Sequence, residues 1–390
     1  MIDTTIEGPL DWQQMRQQMP VAGEVAYFDH AAVSPLPAPT RQAIAQWLDQ
    51  AAEQGTLIWH EWALNVERTR RRAASLFGAD ASEIALVPNT TSGIHLVAEG
   101  FPWREGDNLV TLADEFPSNL YPWINLASRG VETRRVPPPV GRQPLDDLFA
   151  ACDSRTRLIS VSWVSFCSGW RLDLEQLVQR AHEKEILVFL DAIQGLGVFP
   201  IDLHELEIDF LAADGHKWLL APEGAGIFYL RQQHLDLLRP LVVGWNSVEH
   251  ASQFDRIEWQ PRATAVRYEG GSLNMAGLAG LSASLEFLQA SGLGPSSDRI
   301  AQRVLEISDH ACQQLASIGA TIVSSRTGSE RSGIVAFDLP GQDLEKIRRV
   351  CQEQKIALSC RNGLLRISPH AYVDKGDVER LIDVLRSPPS

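Results

Sequence analysis

Between Glu83 and Arg231, short apolar runs alternate with amphipathic stretches. EIALV (83–87) leads to TTSGIHLVAEGF, NLVTL (108–112) to FPSNLYPWINLASRG, and RLISVSWV (157–164) to LDLEQLVQRAHEKE. ILVFLDA (186–192) then opens a further loop. Runs such as Ile186–Leu190 are apolar without alternation, the pattern of a strand covered on both faces. The rhythm predicts an α/β domain with a mostly parallel sheet, whose ligands gather beyond the carboxyl ends of its strands.

Near Pro261 the texture changes. RYEGGSLNMAGLAGL (267–281) is small and glycine-rich, and helical periodicity follows over Ser284–Gln289 and Ile300–Ile318. The tail runs GIVAFDL, DLEKIRRVCQEQ, LLRIS, DVERLIDVLR. That strand–helix–strand–helix order predicts a smaller C-terminal α/β domain. The resulting division is an N-terminal segment (1–20), a large domain (21–262) and a small domain (263–390).

Composition narrows the partners. With 390 residues, 44% of them hydrophobic, the chain can bury a large core. A net charge of −14 argues against nucleic acid and anionic membranes as partners. Five scattered cysteines show neither zinc spacing nor a disulfide framework. The first twenty residues carry no apolar signal-peptide core, and no apolar run approaches bilayer length. A reducing cytoplasm is the expected location.

The stretch FLAADGHKWLLAPEGAGIFYL (210–230) sets Lys217 between two apolar runs, just after a strand. A lysine so placed can hold an aldehyde as a Schiff base, the chemistry of pyridoxal phosphate. That cofactor also needs a carboxylate for its ring nitrogen, donors for its phosphate and a planar neighbour. Asp191 follows ILVFL directly, and Gln194 stands three residues on. Thr90, Thr91 and Ser92 open the predicted helix Gly93–Glu99, where free amides seat a phosphate. Taken singly, each has an ordinary reading: a loop lysine, a helix cap, a turn aspartate. Their joint order is what points to the cofactor.

AYFDHAAVSPLP, NTTSGIHLVAEG, DEFPSNLYPW, LVFLDAIQGLG, LAADGHKWLLAPEGAGIFYL, RYEGGSLN and RNGLLRISPHAY together resemble class V aminotransferase-fold enzymes of pyridoxal-phosphate fold type I. That group includes cysteine desulfurases, kynureninases and isopenicillin-N-epimerase-like proteins. The resemblance implies a Schiff base at Lys217, a ring-nitrogen partner in Asp191 and a phenolic-oxygen donor in Gln194. It implies Thr91, Ser92 and His216 at the phosphate, Phe116 against the ring, and Arg366, with Arg361 nearby, at the substrate carboxylate. It also implies a homodimer in which Ser272 reaches the partner's phosphate.

Departures from the family narrow the subclass. Desulfurases resembling this chain carry a histidine where Phe116 stands and an asparagine where Phe166 stands. Their persulfide cysteine lies on a loop for which Arg361-Asn362-Gly363-Leu364 leaves no room, and Cys360 reads as strand packing. Asp214 stands where a phosphate-binding hydroxyl is common. Either it points away or the phosphate relies on Thr91, Ser92, His216 and Ser272. Trp163, Phe116, Arg361 and Trp245 are candidates for setting side-chain preference. The expected activity is an aminotransferase acting on an amino acid. A C–S or β-eliminating lyase or an epimerase is the alternative, and a non-catalytic cofactor-binding protein the outlying one. No GxGxxG opens the first strand–helix unit, and no P-loop or GxSxG motif occurs, which sets aside nucleotide-binding and serine-hydrolase readings.

Overall fold

The structure, a computed structural model, describes residues 9–139 and 142–386. The first eight residues of the 1–20 segment lie outside that range. Seven strands form the main sheet: β1 (Ile84–Val87), β2 (Asn108–Leu112), β3 (Glu132–Val136), β4 (Thr156–Ser162), β5 (Leu187–Asp191), β6 (Phe210–Asp214) and β7 (Gly226–Leu230). Their order is β1-β7-β6-β5-β4-β2-β3. Only β7 runs antiparallel to its neighbours, so β1 and β6 point the same way.

The non-alternating apolar runs now have a physical account. Along β6, Leu211 and Ala213 join one core cluster while Phe210 and Ala212 join the other; Ile227 and Tyr229 part from Phe228 and Leu230 in the same way on β7. Both faces of these two strands are dry, so Phe210–Ala213 and Ile227–Leu230 are apolar throughout.

A second sheet, antiparallel throughout, is built from β8 (Thr321–Ile322), β9 (Val335–Asp338), β10 (Ser359–Arg361) and β11 (Leu364–Ile367), in the order β10-β11-β9-β8. Helices Leu344–Glu353 and Lys375–Arg386 fall where the tail pattern put them. The glycine-rich stretch differs from its sequence reading, because helix runs continuously over Met275–Ala290. The Asn274 side chain caps it by accepting from Gly277 N–H (3.0 Å). Its small residues pack against helices Ala38–Glu53 and Trp59–Phe77.

One long-range pairing matters for the site. Ala26–Tyr27 pairs in parallel with Ile356–Ala357, and Asp29 bridges to Ser368. The early chain is thereby stitched to the C-terminal sheet. No helix of the described residues is long and apolar enough to cross a membrane.

Candidate active site

The carboxyl ends of β1, β2, β4, β5 and β6 open on one edge of the sheet. Lys217 leaves β6 through Gly215 and His216. The turn closes with Leu220 N–H donating to Lys217 C=O (3.1 Å), which sets Leu220 at φ +56°, an uncommon conformation for leucine. Lys217 is buried, and burial brings its ammonium down to about 8, with Asp191 opposing that fall. Asp191 ends β5, equally buried; loss of water pushes its carboxyl up to about 6, against the pull of Ile193 N–H (3.1 Å) and Lys217. Near neutral pH a fraction of Lys217 is the free amine that covalent chemistry needs.

Gln194 is locked at both ends. Its Oε1 accepts from Trp218 Nε1 (2.8 Å) and its Nε2 donates to Ala31 C=O (3.0 Å), leaving one amide hydrogen. The helix after β1 spans Thr90–Gly100. Gly93 lets it lie on β6, since a Cβ there would sit 2.6 Å from the Ala212 Cβ. Asn89 Oδ1 caps it from Ser92 N–H (2.8 Å) and also takes the Ser92 hydroxyl (3.0 Å). Thr91 Oγ1 donates to Ser118 Oγ (2.9 Å). Asp214 N–H is held by Thr90 Oγ1 (2.9 Å), and Asp214 Oδ2 lies 2.9 Å from His216 Nδ1. The Asp214 carboxylate thus turns to His216, while its buried Oδ1 has no partner among the described residues.

Arg366, on β11, is almost wholly buried, and burial lowers its pKa from the ordinary guanidinium value. Nη1 donates to Phe166 C=O (2.6 Å) and Nη2 to Asp29 Oδ1 (3.2 Å), while Nε has no partner among the described residues. Arg361 is exposed at the end of β10, one turn from β11. The turn between them carries Asn362 at φ +50° and Gly363 at φ +74°, the two left-handed residues of a tight hairpin. Lys217 Nζ sits 5.4 Å from the Phe116 ring centre, and Phe116 meets Phe166 edge to face at 5.3 Å.

Three neighbours of the site escaped the sequence reading. Asp29 tethers Arg366 across 337 residues of chain. Glu115 is buried beside Phe116, takes hydrogen bonds from Ser162 N–H (2.7 Å) and the Ser162 hydroxyl, and has its carboxyl pushed to about 7 by burial. Cys167 stands half-buried next to Phe166; burial pushes its thiol up while the Arg366 charge opposes. The DEF and FCS triplets held a local hint, polar residues in the loops after β2 and β4. Other candidates lie apart. Ser272 is exposed and makes no hydrogen bond among the described residues. The Cys360 thiol stands near Glu345. Trp163 is core, packed on Phe199, and Trp245 is half-exposed against Phe254.

A family model described as "Aminotransferase class-V" matches residues 26–381. The chain belongs to the class-V aminotransferase family. Among curated relatives, a cysteine desulfurase of Escherichia coli O127:H6 is 31% identical over 327 residues, covering 81% of this chain and 78% of that protein. A probable cysteine desulfurase of Methanothermobacter thermautotrophicus is 27% identical, covering 96% and 97%. Among solved structures, the Escherichia coli cysteine desulfurase CsdA matches with TM-score 0.86 at 25% identity, covering 96% of this chain and 98% of its own. A cystine C–S lyase shares the fold, with TM-score 0.88 at 23% identity over 95% and 99%. The curated relatives are named cysteine desulfurases, so the lyase alternative gains on the aminotransferase reading that stood first.

The cofactor of the class-V family is pyridoxal 5′-phosphate, and the site fits it. Asp191, a buried carboxylate, has one hydrogen bond among the described residues, from Ile193, and so retains acceptor capacity for a ring N–H. The first amides of the Thr90–Gly100 helix face the sheet's carboxyl edge, and Phe116 supplies the planar cover.

Proposed function

We propose that the protein is a pyridoxal-phosphate-dependent C–S lyase acting on a cysteine-type amino acid. The observation that carries the reading is Arg366 Nε: a buried donor without a partner, beside a buried Lys217–Asp191 pair. A buried donor left unpaired costs about 1–3 kcal/mol, and a substrate α-carboxylate would satisfy it. The names of the relatives add sulfur to that amino-acid site.

When bound, the cofactor supplies an electron-accepting ring that lets an amino acid's α-proton leave. The chain's own residues do the rest. Lys217, its ammonium brought down by burial so that part of it is free amine, takes the α-proton and passes it on. Asp191 keeps a proton on the ring nitrogen, and Gln194, locked by Trp218 and Ala31, directs its remaining amide hydrogen. Thr91, Ser92, His216 and the helix amides hold the phosphate, with Asp214 orienting His216. Arg366 takes the carboxylate, supported by Arg361, and Phe116 excludes water from one face.

A homodimer belongs to the same reading. Val242, Trp245, Phe254, Ile257 and Trp259 are exposed on one segment, an apolar surface that supports self-association, and Ser272 is free to reach a second copy. The test is pyruvate and thiol release from thio-amino acids by cofactor-loaded protein, with sedimentation alongside. Stoichiometric pyruvate without conversion of the cofactor to its amine form is expected. Transfer of the amino group to a keto acid would return the aminotransferase to first place, and an active monomer would remove the dimer.

A further inference from the structure

A cavity of about 460 Å3 lies beyond the carboxyl ends of β2 and β4, roofed by residues of the small sheet's edge. Its volume is in the range of sites for small organic ligands. Leu112, Pro138, Phe166, Trp170, Leu172 and Val323 make its walls mostly apolar. Phe166, one of those walls, touches Phe116, and Phe116 lies over Lys217 Nζ. The cavity is therefore two aromatic rings from the catalytic amine. Phe166 also joins the cavity to Arg366, whose Nη1 donates to the Phe166 carbonyl (2.6 Å).

On the reading above as a C–S lyase, we infer that this cavity receives the S-substituent of an S-substituted cysteine, and that the substituent is uncharged and apolar, alkyl or aryl. The lining selects against an anion. Asp114 and Glu115 both border the cavity, and Arg142, the cation there, is paired with Asp147 (2.8 Å). The tight Asn362-Gly363 turn and the Phe116–Phe166 wall argue in the same direction. No long loop enters between β10 and β11 to bring a sulfur-accepting thiol, so sulfur is expected to leave still attached to its substituent.

The chemistry balances without an oxidant or reductant. Lys217 takes the α-proton, the Cβ–S bond breaks with its electron pair on sulfur, and that proton is available to the departing thiolate. Water then hydrolyses the remaining fragment. One S-substituted cysteine and one water give one thiol, one pyruvate and one ammonium.

The test compares L-cysteine, S-methyl-, S-benzyl- and S-carboxymethyl-L-cysteine on the cofactor-loaded protein, following pyruvate and thiol together. S-benzyl-L-cysteine is expected to exceed L-cysteine and S-carboxymethyl-L-cysteine in kcat/KM by about tenfold or more, the scale on which an apolar pocket discriminates. Val323→Trp, at a half-exposed rim position, narrows the cavity. It should lower the S-benzyl value by about tenfold while S-methyl-L-cysteine changes about twofold or less. Binding is read separately: calorimetry on Lys217→Ala protein should show S-benzyl-L-cysteine held more tightly than L-cysteine, with the preference lost when Val323→Trp is added. Pyruvate from L-cysteine with none from S-benzyl-L-cysteine overturns this inference and leaves the lyase reading standing. Preference for S-carboxymethyl-L-cysteine overturns it too. Pyruvate from none of the four, with the cofactor driven to its amine form, overturns the lyase reading itself and the inference with it.

Discussion

The two halves of the site differ in how they are built. On the β5–β6 side, Asp191, Gln194 and Lys217 each stand at a strand's end or three residues past it, and all are buried, polar and tightly placed. On the β2–β4 side, Phe116 and Phe166 form an apolar wall, and the β10–β11 hairpin is as short as a hairpin can be. On the proposed function, the first side carries the chemistry and the second sets which substrate is accepted. Proton transfer needs fixed charges in a dry setting, whereas selectivity is a matter of shape and of which polar groups are missing.

That contrast can be broken most severely at Lys217. Lys217→Ala should lower turnover by about a thousandfold or more, since it removes both the amine and the proton carrier. Pyruvate release measures it, and a variant retaining a tenth of the activity would move the chemistry elsewhere.

Asp191→Asn should cut kcat about a hundredfold. In the cofactor-free protein the same change should stabilise. Burial raises the Asp191 carboxyl from its ordinary 3.8 to about 6, so the folded state binds the extra proton between those values and loses stability as pH rises through 6. Above pH 6 a neutral amide avoids that cost, so Asp191→Asn should melt higher than the parent at pH 8. The gap should close as pH falls toward 3.8. A variant that melts lower at pH 8 would show that the carboxylate is better solvated than its burial indicates.

On the selective side, Arg366→Lys should raise the substrate KM by about tenfold to a hundredfold, because a lysine cannot keep Asp29, the Phe166 carbonyl and a substrate carboxylate together. A change in kcat alone would place Arg366 outside carboxylate binding. The smallest effect belongs to the hairpin. Gly363→Ala meets no atom within 4 Å, so only its φ of +74° is penalised. A loss of about 1–2 kcal/mol in denaturant unfolding is expected, with activity little altered.

How far these features could be read in advance depends on how local they are. The strand runs before Asp191 and Lys217, the TTSG helix start and the shortness of the Arg361–Leu364 segment are all encoded within a few residues, and each was legible. Of the helix Met275–Ala290 only the Ser284–Gln289 end was legible. Its glycines lower intrinsic propensity, and only close packing on two neighbouring helices decides in its favour. Asp214 was legible as an oddity, but its direction was not, because that depends on Thr90 and His216.

The sequence by itself determined the double-sided, mostly parallel sheet and the polar residues standing at its strand ends, though not β3, whose ETRRV carries no apolar run. Period, apolar run length and punctuation are properties of neighbouring residues, and they survive without any knowledge of the fold. Only the tertiary structure decided that Asp29 would grip Arg366, that Glu115 would take hydrogen bonds from Ser162 on β4, and that Phe166 and Phe116 would link a cavity to the surroundings of Lys217. Those contacts follow from crossovers that place β2 beside β4 and stitch the early chain to β11. Hydropathy patterns say where a strand begins and ends, but the physics of its lateral pairing lies in residues tens to hundreds of positions away.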